Sequence, residues 1–116
     1  MSQAKLVRDK IPQIVRDTGA EPVIRIANAN EYRVLLRVKL VEEVDEFLAS
    51  EDPNELADVL EVLLALAVDL GVDRDQLEKL RTAKVVERGG FADRIVWSGN
   101  TPVGGRVGYA GLTSNA

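Results

Sequence analysis

The sequence predicts an all-α fold with room for two short strands. Three observations carry this expectation. Apolar residues recur at helical spacing over several stretches, and start and stop signals for helices bracket those stretches. Only two short runs are β-branched enough to read as strands. At 116 residues, the chain reads as one small domain.

Residues 5–18 read as a short first helix. Val7, Ile11, Ile14 and Val15 keep helical spacing, Asp9 is placed to cap, and Pro12 is tolerated only near a first turn. Gly19 supplies the stop. Residues 21–26 follow as an extended piece or edge strand, rich in Val and Ile. Asn30 is the expected cap of a long helix over residues 31–49. On a helical wheel its acidic stripe (Glu42, Glu43, Glu46) borders the apolar stripe of Leu36, Leu40, Val44 and Phe47, and Lys39 lies inside the acidic arc.

A tight turn over residues 50–53 comes next. Asp52-Pro53-Asn54-Glu55 combines a capping Asp, a Pro at the first helical position and a Glu at the third. The helix that follows runs to about Leu70, stops at Gly71, and is apolar around most of its circumference, which predicts burial on several sides. Val62 and Leu66 lie within about 20° of Glu55 around its axis. Asp73 caps a third long helix, with Leu77, Leu80 and Val85 inward and Gly89-Gly90 as the stop. Residues 94–97 read as a strand able to pair with 23–26. Residues 1–97 form the expected domain, and 98–116 a Gly-rich, irregular tail.

Composition narrows the chemistry. Aromatics make up 4% of the chain, so Leu, Val, Ile and Ala must build the core, and association with further copies is expected to complete it. The net charge of -4 gives no general case for nucleic-acid binding. There is no Cys and no His, which removes thiolate and imidazole ligands, disulfides and histidine bases. Any metal must be held by oxygen, which favours Mg or Mn over Zn. The N-terminus carries no apolar signal segment, and the longest apolar run, residues 62–68, is too short to span a bilayer. A cytoplasmic protein is the expectation.

The candidate site follows from two acidic clusters. Glu42-Glu43-x-x-Glu46 and Glu55-x-x-Asp58 each place carboxylates three or four residues apart, on one helical face. If the two helices fold back on each other, these groups meet in a small volume, where like charges repel unless a divalent cation sits among them. Each cluster alone also reads as ordinary helix chemistry: a solvated face with Lys39 as partner, or a capping box with a favourable N-terminal charge. The pairing across a tight turn favours the cation. Glu43, Glu46, Glu55 and Asp58 are the candidate metal ligands. Glu42 is a ligand, an outer-shell partner or, with Glu43, part of the catalytic machinery as proton acceptor.

At these residues the chain resembles the MazG-like, all-α nucleoside triphosphate pyrophosphohydrolases, which carry EExxE followed by ExxD on paired helices. Residues 5–12 (KLVRDKIP) resemble the N-terminal signature of one small branch, which looks like the phosphoribosyl-ATP pyrophosphohydrolases. Residues 39–43, 55–62 and 88–91 also match its pattern. The likeness covers about residues 5–91. It implies an antiparallel helical bundle acting as a homodimer or homotetramer. It also implies Mg-dependent hydrolysis between the α- and β-phosphates of a nucleotide, with Mn as a possible substitute, giving a monophosphate and pyrophosphate in nucleotide house-cleaning. The gap of eight residues between the two motifs is shorter than in typical members, which suits a minimal version.

Lys5, Arg8, Lys10, Lys39, Lys84 and Arg88 are candidate phosphate contacts. Their other reading is a set of solvated charges, with Lys84 and Arg88 complementing a helix C-terminus. Tyr32, Phe91 and Trp97 are the side chains able to stack on a base, and each also reads as a core or interface residue. Two rivals remain: a phosphoribosyl-ATP pyrophosphohydrolase, and a non-catalytic helical module whose acidic face binds a basic partner.

Overall fold

The computed structural model describes residues 4–102. It is helical, with α1 (Ile11–Asp17), α2 (Ala29–Ser50), α3 (Pro53–Asp69) and α4 (Arg74–Arg88), and no strand forms among the described residues. The all-α expectation holds, and the two strands are corrected. Val23 and Ile26 are fully exposed, as are most of Ile95 and Val96, so neither run has the ladder partner that a strand requires. The chain divides into two compact units, Met1–Leu77 and Glu78–Ala116, with the boundary inside α4. Most of the tail lies outside the described residues.

The first helix begins six residues later than expected. Residues 4–8 are irregular and Asp9–Lys10 form a turn, because Pro12 must stay in the first turn and so fixes where α1 can start. Lys10, not Asp9, occupies the cap position, without a side-chain cap bond. Gly19 follows at φ +93°, a backbone state open to glycine at little cost.

α2 starts earlier than expected, with Asn28 instead of Asn30 as its cap. The Asn28 side chain accepts the Glu31 N–H at 2.9 Å. At the other end Glu51 takes a left-handed conformation at φ +55° and donates its N–H to Phe47 at 2.7 Å, which closes the helix. Only Glu51 and Asp52 separate α2 from α3, so the two helices fold back as an antiparallel hairpin and pack together.

The start of α3 follows the sequence signals. Asp52 Oδ1 accepts the Asn54 N–H at 2.9 Å and Pro53 opens the helix. The capping box does not close through Glu55, because the Asp52 N–H donates to the Ser50 hydroxyl at 3.2 Å. At the open end of the hairpin Arg33 pairs with Asp69 at 3.1 Å. α4 begins with a reciprocal cap, in which Asp73 and Gln76 exchange backbone and side-chain bonds at 2.8 Å each.

Among the described residues the buried apolar ones are Leu36, Val62 and Ala67, at the α2–α3 seam. The sequence led us to expect α3 buried on several sides, but Leu56, Leu60 and Leu63 are exposed, as are Val34, Val38 and Val41 on α2. A lone hairpin has one inner face, so it buries one stripe per helix. Leu80 and Val85 on α4 are likewise exposed. No helix among the described residues is long and apolar enough to cross a membrane.

With so few buried side chains, each one counts. Leu36→Ala is expected to lower the unfolding free energy by roughly 2–5 kcal/mol, and Val34→Ala by less than about 0.5 kcal/mol. Urea unfolding followed by far-UV circular dichroism checks the contrast.

Candidate metal centre

The hairpin brings both acidic clusters to one place. Helical spacing puts Lys39, Glu42, Glu43 and Glu46 on adjoining rows of α2, and Glu55 and Asp58 on the first turns of α3. Glu42, Glu43 and Glu46 each offer a carboxylate oxygen within 4.8 Å of the others, and so do Glu43, Glu55 and Asp58. Glu43 belongs to both groups and is the buried member, 6% exposed. Its place beside the Leu36–Val62 seam follows from the wheel, where it adjoins the apolar stripe.

Three cations attend these five carboxylates. Lys39 Nζ lies 3.2 Å from Glu43 Oε1 and 3.4 Å from Glu42 Oε1. Lys5 reaches Glu42 at 3.5 Å, and Arg8 Nη2 meets Asp58 Oδ1 at 2.6 Å. Two negative charges are left over, as many as one divalent cation neutralises. The second oxygen of Glu43, Oε2, is buried and has no hydrogen-bond partner. An orphaned buried carboxylate oxygen is costly unless something positive meets it. All donors are oxygen, which fits a hard cation such as Mg.

The carboxyl groups sense one another. Glu46 is pushed above the ordinary carboxylate range by the charge of Glu43, then by desolvation and a shared bond with Glu43. Glu55 is raised by desolvation, by a hydrogen bond with Asp58 and by the charges of Glu46, Asp58 and Glu43. Glu42 differs. Desolvation pushes it up, but the charges of Lys39 and Lys5 outweigh that and hold it below the usual range. Lys39 is penalised by burial and, on balance, raised by Glu43 and Glu42.

A cleft of about 380 Å³ opens beside this cluster, its lining including Glu43, Asp58, Tyr32, Leu36 and Val62. Residues 6–10 form its remaining side, so Arg8 and Lys10 line it as well. Lys5 and Lys39 border an adjoining hollow with Glu42. The structure therefore gathers Glu42, Glu43, Glu46, Glu55, Asp58, Lys5, Arg8, Lys10 and Lys39. Lys84 and Arg88 lie on α4 in the second unit. Of the aromatic candidates, Tyr32 lines the cleft. Phe91 is exposed and so joins no core in this chain, and Trp97 is half-exposed, its indole N–H donating to Asn100 at 3.0 Å. Glu61 on the cleft wall escaped the sequence reading, although its spacing of three from Asp58 continues the Glu55-x-x-Asp58 row.

The fold and site define an all-α protein with an oxygen-donor acidic centre. No protein-family model matches the chain, and no solved structure matches it. A protein of Mycolicibacterium smegmatis, described only as uncharacterized, is 48% identical over 48 residues, 41% of this chain and 49% of that protein. The chain thus matches about half the length of that relative.

The pKa directions give a signed expectation. Glu46 and Glu55 have raised folded-state values, so their protonated forms stabilise the fold below the ordinary carboxylate range, and that contribution is lost as pH rises through their folded values. Glu42 acts oppositely, and its contribution disappears only at more acidic pH. In EDTA the melting temperature is therefore expected to rise as pH falls from neutral toward the ordinary carboxylate range, then to drop. With Mg the first rise is expected to vanish, because the cation removes the same repulsion. Thermal melts across pH, with and without Mg, check this.

Proposed function

We propose that this chain is a Mg-dependent nucleotide pyrophosphohydrolase of the MazG-like, all-α kind, acting in nucleotide house-cleaning. The observation that carries the reading is Glu43: a buried carboxylate shared by two acidic groups, with one oxygen unpartnered and a cleft beside it. The motif order along residues 5–91 supports it further.

In this reading Glu43, Glu46, Glu55 and Asp58 hold the cation, with Mn able to replace Mg. Once bound, the cation neutralises triphosphate charge and lowers the pKa of the attacking water. The chain's own groups do the rest. Lys39, the stronger of its two cationic neighbours, keeps Glu42 ionised, so its carboxylate is ready to take the proton from that water. The water oxygen bonds to the α-phosphorus, the bond from that phosphorus to the α–β bridging oxygen breaks, and pyrophosphate leaves with the bridging oxygen. Arg8, Lys10 and Lys39 line the cleft and are the phosphate contacts of this reading, with Tyr32, on the same lining, as the side chain able to stack on a base.

A second copy completes the protein. Leu56, Leu60 and Leu63 expose more apolar surface on α3 than a three-residue core balances, so a homodimer or homotetramer is part of the reading. The rival, an acidic module for a basic partner, is favoured by one observation: the centre already accepts Lys5 and Arg8 from this chain.

Product analysis separates the two. Incubation with a panel of nucleoside triphosphates and phosphoribosyl-ATP, in Mg, Mn or EDTA, is expected to release monophosphate product and pyrophosphate only with metal. Glu43→Gln and Asp58→Asn are expected to lower turnover by about a hundredfold or more while keeping helical content. Full turnover in either variant, or none by the natural chain across the panel, overturns the enzymatic reading. Light scattering is expected to give a dimer or larger, with Leu60→Lys shifting it toward monomer.

A further inference from the structure

The segment before α1 has a property that the catalytic reading does not use. Residues 4–8 have no regular structure, yet they lie over the acidic centre and are held there by two ion pairs. Both anchors are centre carboxylates. Arg8 Nη2 reaches Asp58 Oδ1 at 2.6 Å, and Lys5 Nζ reaches Glu42 Oε1 at 3.5 Å. Leu6, between them, is half-buried and borders both hollows. The same segment is also one wall of the cleft.

A carboxylate oxygen that donates its lone pairs to a divalent cation gives up much of its attraction for a guanidinium. Asp58 therefore has two competing partners: a cation from solution and Arg8 of its own chain. Glu43 adds an independent reason for a cation to settle here. Its side chain is 8% exposed, and its free oxygen points to no protein donor.

We infer that residues 5–8 form an electrostatic strap, in which Arg8, assisted by Lys5, occupies the acidic centre as a resident counter-cation and is displaced when a divalent cation binds. Displacement frees the Arg8 guanidinium at the mouth of the cleft, where it is positioned to meet an incoming phosphate. Cation binding and opening of the strap are then one coupled equilibrium: whatever holds the strap down weakens the cation, and the cation loosens the strap. This inference rests on the reading of the centre as a divalent-cation site, and the test separates the two.

Mn binding to the full chain, without nucleotide, is measured by electron paramagnetic resonance. The Arg8–Asp58 pair is partly exposed, at 55% and 38% of the two side chains, so its competition is modest. Arg8→Ala is expected to bind Mn about two- to fivefold more tightly than the natural chain, as loss of a pair of this exposure implies. Arg8→Lys, which keeps the charge but not the guanidinium fork, is expected to fall between them. Equal or weaker binding by Arg8→Ala, with the natural chain still binding, overturns the strap and leaves the cation site standing. Absence of Mn binding in both overturns the site and the strap together.

A second readout is independent of affinity. Trypsin cleaves after Arg8 only when that side chain is free to enter the protease. Mn is expected to quicken this cleavage in the natural chain. Asp58→Asn is expected to be cut rapidly in EDTA with no further response to Mn. A rate in the natural chain that does not change with Mn counts against the strap.

Discussion

Burying the Glu43 carboxylate at the α2–α3 seam puts a charge where desolvation penalises it, and much of the surrounding structure acts to offset that penalty. Removing an ion from water costs several kcal/mol even after relaxation, and an ion pair recovers it only when the remaining lone pairs are met. Lys39 meets one oxygen of Glu43 and leaves the other bare. The charge of Glu43 is also the first cause that pushes Glu46 toward its protonated form, while Glu55 is raised first by its own desolvation. Arg8 and Lys5 reach the neighbouring carboxylates Asp58 and Glu42 from the N-terminal segment. The hairpin's small apolar seam, the acidic cluster and the irregular segment above it are one electrostatic problem.

The same arrangement explains why the described residues form helices yet bury little apolar surface. Two helices joined by a two-residue link share one contact face. Glu43 takes a position on that face that an apolar side chain would otherwise fill. Leu, Val and Ile are plentiful, but on a lone hairpin they point outward, and the scarcity of aromatics leaves nothing large to wrap across them.

Much of this was legible in the residues. The Asp52-Pro53 start, the Asp73 cap and the Gly71 and Gly89 stops each follow from local chemistry, so α3 and α4 fall where the signals put them. The burial of Glu43 follows from its wheel position next to Leu36 and Leu40. What was hidden depended on distance or on competition between neighbours. Arg8 and Asp58 are fifty residues apart, and no local pattern announces their pairing. Asn28 and Asn30 are both able to cap, and it is Asn28 that takes the Glu31 N–H. The β-branched runs had the propensity for strands, but a strand exists only where a second one lies alongside it.

The hydroxyl of Ser50 carries one more consequence. By taking the Asp52 N–H, it fills the place that the Glu55 carboxylate would take in a closed capping box. The helix start and the acidic centre, though adjacent in sequence, are therefore specified by different side chains. Glu55 keeps its favourable place in the first turn, where its charge meets the helix N-terminus, but it does not close a capping box. A change at residue 55 therefore touches the acidic cluster without removing a cap bond from α3.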